Sequence, residues 1–145
     1  MRSGLVRRGL VALVLLLLAV GPVAAADLTV RVEGLPNSRG DVHIALYDNP
    51  KAFPDGDGML REEEVPISAG IAIWTAAGLK PGRYAVAVYH DEDGDDDFDQ
   101  GIFGIPLERF GFSNGAFVLL GPPSFEAAAF DVAAEGATIV IDLER

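Results

Sequence analysis

An all-β sandwich of about seven strands is the fold class the sequence predicts, and three observations predict it. Apolar residues alternate with polar ones in several short segments, the period-two pattern of half-buried strands. Clusters of glycine, proline, asparagine and aspartate separate these segments, and the chain of 145 residues holds 17 glycines and 9 prolines. Beyond residue 26 no stretch keeps a helical period for more than a turn or two.

The first 26 residues stand apart from this pattern. Arg2, Arg7 and Arg8 give a basic start, LVALVLLLLAV at 10–20 is apolar, and Ala24-Ala25-Ala26 closes the segment with small residues. That is the layout of a secretory signal peptide, with cleavage after Ala25 or Ala26. An uncleaved anchor is the alternative, since residues 9–26 carry no charge, but Pro22 and the small-residue end argue against a span. Residues 27–145 then form one domain, long enough for a single core.

From Asp27 the elements follow in order. Leu28, Val30 and Val32 share one face of a first strand, which Gly34-Leu35-Pro36-Asn37 stops. Val42, Ile44 and Leu46 do the same for a second, with His43 and Tyr47 on its other face. Turn residues fill 49–58, and 59–67 reads as a short edge strand limited by Pro66. Gly70–Ala76 is a strand in which Trp74 packs. Pro81 and Gly82 suit a type II turn, with positive φ at Gly82. The strand RYAVAVYH follows, and Tyr84 just past that corner resembles the tyrosine corner of immunoglobulin-like sandwiches, its hydroxyl tied back to nearby backbone. Gly101–Gly115 has four glycines and no clean period, so it reads as a long ordered loop that packs Ile102, Phe103, Ile105, Phe110 and Phe112 on the sandwich. Ala116–Leu120 reads as a strand, Ser124 as the cap of one short helical turn, and Ala137–Leu143 as the last strand, with Ile139 and Ile141 on one face and Val140 on the other.

Composition removes several functions. The leader holds three of the 11 basic residues and none of the 22 acidic ones, so the domain carries eight positive against 22 negative charges, a formal −14. Such a charge disfavours nucleic acid and, after signal cleavage, an anionic membrane surface. With no cysteine there is neither a disulfide framework nor a lipid-anchor cysteine. Two histidines, His43 and His90, cannot build a three-histidine zinc site.

The stretch that carries chemistry is His90–Asp99, HDEDGDDDFD. Aspartates at 91, 93, 95, 97 and 99 offer hard oxygen donors from one short segment, as Ca²⁺ requires with about six to eight oxygens at roughly 2.3–2.6 Å. By analogy with an EF-hand loop, Asp91, Asp93 and Asp95 take the first, third and fifth positions, the carbonyl of Asp97 the seventh and Asp99 the ninth. The match is partial: a strand precedes Asp91, Asp96 stands where the loop needs glycine, and Ile102 stands where a bidentate glutamate would sit. The missing ligand must come from afar, with Glu108, Asn114 and Asp48 as candidates. His90 reads as a strand-end residue. A metal-free acidic turn is the competing reading of the loop. A second acidic patch, Asp55, Asp57 and Glu62-Glu63-Glu64, reads as solvated. Gly111-Phe112-Ser113-Asn114-Gly115 matches the G-x-S-x-G of a nucleophile elbow, but that motif means something only between a strand and a helix with a histidine near, so no catalytic serine is expected.

Taken together, five blocks resemble the bacterial DUF2141 domain: GDVHIALYD at 40–48, L-x-PG-x-YAVA-x-YHD at 79–91 with the acidic loop, GIP-x-E at 104–108, GFSN at 111–114 and PPSF at 122–125. In that family the loop typically reads Asp-Glu-Asn-Gly-Asn-x-x-x-Asp, and here Asp93 and Asp95 replace the asparagines, keeping a side-chain oxygen at each place. The resemblance implies an exported immunoglobulin-like or prealbumin-like sandwich and implies no particular activity. The expectation is therefore a non-enzymatic, calcium-binding module of the periplasm or cell surface, with an envelope protein or glycan as partner. The alternative is a calcium-dependent enzyme for a small or carbohydrate-like substrate, using Asp91, Glu108 and His90.

Overall fold

A computed structural model describes residues 25–117 and 121–143. Two sheets face each other. In the first, β1 (Ala26–Glu33) lies between β4 (Ala72–Leu79), antiparallel, and β8 (Ala137–Asp142), parallel. In the second, β2 (Asp41–Tyr47) lies between β3 (Arg61–Pro66) and β5 (Gly82–Asp91), antiparallel to both. The far edge of β5 carries two three-residue strands, β6 (Phe110–Phe112) beside Ala87–Tyr89 and β7 (Phe130–Val132) beside Gly82–Tyr84. The expected all-β sandwich is thus present, with eight strands among the described residues.

Alternation explains the layers. Leu28, Val30 and Val32 from one sheet meet Val42, Ile44, Leu46, Val86 and Val88 from the other, all buried, with Ile141 and Leu143 closing one side. Each such side chain contributes about 1.5–3 kcal/mol by leaving water. Trp74 packs partly buried on this cluster. The edge strand β3 buries only Val65 and otherwise shows Arg61 and Glu62–Glu64 to solvent, a charged edge that resists pairing with another chain.

The outer face of the five-stranded sheet is covered as well. His43 and Tyr47 do point away from the main core, yet both are buried, at 4% and 1% exposure. Tyr47, Phe53, Ala85, Phe125 and Ala128 form a second apolar cluster there. From it a row of ring contacts runs Phe53–Phe112–Phe110–Phe98–Tyr89–His43, with centroids 4.6–5.8 Å apart. Offset and edge-on ring pairs of this kind add about 0.5–1.5 kcal/mol each beyond their area. The row joins the second cluster to the acidic end of the sheet.

Several local expectations are met. The Tyr84 hydroxyl donates to the Lys80 carbonyl at 2.7 Å, closing the corner. Ser124 caps α1 (Phe125–Ala128) by accepting from the Ala127 N–H at 3.3 Å. Others are corrected. Gly82 does not have positive φ; it opens β5, and the left-handed residue nearby is Gly78 at φ 73°, where the register of β4 against β1 slips. The segment 101–115 is not a loop throughout, since Phe110–Phe112 pairs as β6. Phe110 and Phe112 pack as expected, but Ile102, Phe103 and Ile105 are 79%, 97% and 62% exposed. A short 3-10 turn at Ile102–Gly104 aims them outward. The strand β7 was not foreseen, because three residues are too few to show a period. Of the strand expected over Ala116–Leu120, Ala116 and Phe117 lie in no strand, and residues 118–120 fall outside the described residues. The segment expected to be a signal peptide likewise falls outside them, apart from Ala25 and Ala26.

Candidate metal centre

Strand β5 ends on Asp91, directly opposite Asp41 at the start of β2. From there the acidic loop folds back over the outer face of the sheet, where Phe98 rests on Tyr89 and Phe110. Asp91 has no exposed surface and works as the loop's anchor. One of its carboxylate oxygens accepts from the Gly94 N–H at 2.7 Å and the other from the Asp96 N–H at 3.0 Å. Burial alone would raise its pKa, but the backbone donors of Asp96, Gly94 and Asp95 outweigh it and hold the carboxyl below its ordinary range. Asp91 is therefore an ionised, oriented carboxylate.

The loop can wind this tightly because Gly94 and Asp96 both take positive φ, 73° and 64°. Position 96 is where an EF-hand loop uses glycine; aspartate is among the few other residues that visit the left-handed region at modest cost. The departure noted in the sequence thus leaves the backbone shape available.

Glu108 closes the loop from outside it. Its two oxygens accept from the Glu92 N–H (3.3 Å) and the Asp99 N–H (3.1 Å), one at each end of the acidic stretch. Burial pushes the Glu108 carboxyl above its ordinary value, against the pull of those two donors. Carboxylate oxygens of Asp91, Asp93 and Glu108 all lie within 4.8 Å of one another. Asp93 is exposed, and the neighbouring charge of Asp95, followed by slight burial and the charges of Asp99 and Asp91, raises its pKa. Such a shift marks negative groups held too close for comfort in water.

Of the residues singled out in the sequence, then, Asp91, Asp93 and Glu108 converge, and Asp95 and Asp99 lie within electrostatic reach of Asp93. Asp97 is exposed, its N–H donating to Asp95 at 3.0 Å. Asn114 is not brought to the loop: its amide donates to the Ala129 carbonyl beside α1. Asp48 follows the far end of β2, about 20 Å from Asp41 at the rise of a strand. His90 is buried on the inner face, its Nε2 2.7 Å from the Arg39 carbonyl. The patch at Glu62–Glu64 is exposed as expected, on a strand.

Three residues escaped the sequence reading. Gly40, at φ 61°, lies against the backbone of Asp91 so closely that a Cβ there would sit 1.7 Å from the Asp91 carbonyl oxygen. Asp41 and His43 share the outer face of β2 and face Asp91 across it. Their two-residue spacing was the available signal; the register that sets Asp41 opposite Asp91 and His43 opposite Tyr89 was not.

Ser113 is structural. It is fully buried, its Oγ accepts from the Val86 N–H at 2.9 Å, and its hydroxyl donates to the Ala128 carbonyl. It pins β5 to α1 and has no face for a substrate. Ser113→Ala leaves a buried N–H and carbonyl unpaired and is expected to lower stability by about 1–3 kcal/mol. Urea denaturation measures this, and a change under about 0.5 kcal/mol would show the bonds to be dispensable.

Fold and loop together define a class: a two-sheet β-sandwich with a buried aspartate anchoring an acidic turn at one end. The family model described as an uncharacterized protein conserved in bacteria, DUF2141, matches residues 30–140, and the chain belongs to that family. No curated protein and no solved structure matches the chain.

Proposed function

We propose that this chain is a calcium-binding module of the bacterial envelope, exported by its leader, whose acidic end forms a binding surface for a protein or glycan. The carrying observation is the convergence of Asp91, Asp93 and Glu108 within 4.8 Å. Ligands at roughly 2.3–2.6 Å from one ion lie no more than about 5 Å apart, so the three fit a shared cation. The donor set is all oxygen and mostly anionic, which suits calcium. An irregular, loop-borne cage suits magnesium less, because magnesium demands near-octahedral geometry. Asp91 and Glu108 would hold the ion with Asp93, and their backbone hydrogen bonds already fix their direction. The bound ion would supply the positive charge that relieves repulsion around Asp93. Export rests on the basic, apolar and small-residue layout of 1–26.

Extracellular calcium sites bind at roughly 10⁻⁴–10⁻³ M. At tenfold excess over Kd the ion adds about 1.4 kcal/mol to stability, which is about 4–6 °C in Tm for a domain of this size. Melting in millimolar calcium against EGTA should show that shift, and Glu108→Gln should remove most of it. Equal melting temperatures in the two buffers would end the calcium reading.

A further inference from the structure

His43 is a buried polar side chain whose ring nitrogens are left unsatisfied. Its side chain is 5% exposed, its ring stacks on Tyr89 at 4.6 Å, and neither ring nitrogen has a hydrogen-bond partner. Both nitrogens nevertheless face carboxylates. Nε2 lies 3.4 Å from Asp41 Oδ1, 3.7 Å from Asp91 Oδ2 and 3.8 Å from Asp96 Oδ1, while Nδ1 lies 3.6 Å from Glu62 Oε1. Asp41 Oδ1 is also buried without a hydrogen-bond partner. These separations are too long for hydrogen bonds. The edge of a tetrahedron around a metal with bonds of about 2.0–2.2 Å is about 3.3–3.6 Å; the Asp41 oxygen stands at that distance from Nε2, and the Asp91 and Asp96 oxygens one or two tenths of an ångström beyond it.

We propose that Asp41, His43 and Asp91, whose ligand atoms lie within 4.8 Å of one another, form a second cation site, adjoining the loop site and bordered on its solvent side by Asp96, that takes a borderline divalent ion such as zinc through His43 Nε2. An imidazole nitrogen among carboxylate oxygens selects zinc-like ions over calcium, which is bound by oxygen alone. The fold supplies the rest of a metal-bound histidine. Stacking on Tyr89 fixes the ring plane, and Glu62 faces the other nitrogen, the outer carboxylate that sets the tautomer in many zinc sites. Asp96, whose side chain is 69% exposed, forms the solvent side, so the site has an entrance. Asp91 is common to both sites, but the assignment stands on His43 and Asp41 and does not depend on calcium in the loop.

The test uses the whole mature domain, stripped of metal on a chelating resin and held in millimolar calcium. Zinc is added while the ring nitrogens of both histidines are followed by ¹⁵N NMR and binding by calorimetry. Zinc should move the His43 Nε2 resonance and leave His90 in place. His43→Gln should weaken zinc binding more than about 100-fold, and Glu62→Gln about tenfold. Asp96→Asn, on the exposed loop, gives a variant whose folding is not in question and should weaken binding as well. The calcium-dependent rise in Tm should persist in His43→Gln, so failure here is distinguishable from failure of the calcium reading. An unmoved His43 ring, or zinc affinity equal in wild type and Asp96→Asn, would overturn the site and leave only exposed carboxylates and a buried imidazole.

Discussion

Gly40→Ala is expected to yield little or no folded protein. Alanine at φ 61° carries a conformational cost of about 1 kcal/mol or more. Its Cβ would also stand 1.7 Å from the Asp91 carbonyl oxygen and 2.8 Å from the carbonyl carbon, both backbone atoms of a central strand. Neither can give way without breaking the pairing of β2 with β5, so the total loss should exceed about 4 kcal/mol, a large part of a domain's whole stability. Gly70 is the control, with φ 78° but nothing within 4 Å of its virtual Cβ. Gly70→Ala should lose only about 1 kcal/mol. Circular-dichroism melts of the pair separate backbone strain from collision, and equal losses would show that the contact at Asp91 is softer than its geometry implies.

Asp91→Ala is the second large effect, and it should appear even in EGTA. The substitution deletes the acceptor for the Gly94 and Asp96 N–H groups. Hydrogen bonds to a charged acceptor are worth about 1.5–3 kcal/mol each, so a loss of about 3 kcal/mol or more is expected, together with loss of any response to calcium. The same carboxylate governs the acid limb of stability. Its folded pKa lies below the ordinary 3.8, so its contribution is complete above that value and is lost as pH falls through the folded pKa. Glu108 and Asp93 are shifted the other way, above 4.5 and 3.8 respectively. Their ionisation opposes folding, and protonating them relieves it. In EGTA, Tm should therefore rise as pH is lowered through the folded pKa values of these two groups towards their ordinary 4.5 and 3.8, and fall once pH drops below 3.8 and Asp91 protonates. Calcium should flatten the rising part, since the ion takes over the relief that protons supply. A Tm that falls steadily from pH 7 without calcium would contradict this picture of the loop.

Local pattern carried most of the strand assignments. Val42, Ile44 and Leu46 could only line one face of a strand, and Tyr84 after Lys80-Pro81 could only close a corner whose geometry the turn had already set. Where local pattern misled, a distant contact was responsible. Gly82 read as the left-handed residue of a turn, yet it pairs with β7 at Val132 as the first residue of β5, and the left-handed glycine nearby is Gly78, where the register of β4 against β1 slips. Phe110 and Phe112 read as loop residues that pack, and pairing with Tyr89 and Ala87 makes them a strand. Exposure of Ile102, Phe103 and Ile105 went unforeseen, because composition shows that a residue is apolar and not which way a 3-10 turn aims it.

The acidic end divides along the same line. Its oxygen-rich character and its closeness to a strand end follow from residue order, because charge and spacing are local properties of a chain. The arrival of Glu108 at the loop while Asn114 and Asp48 stay away, the burial of Asp91, and the gathering of Asp41 and His43 beside it follow from the tertiary fold. Register is a long-range pairing: it sets residue 41 against residue 91, a separation across which no sequence period can be seen.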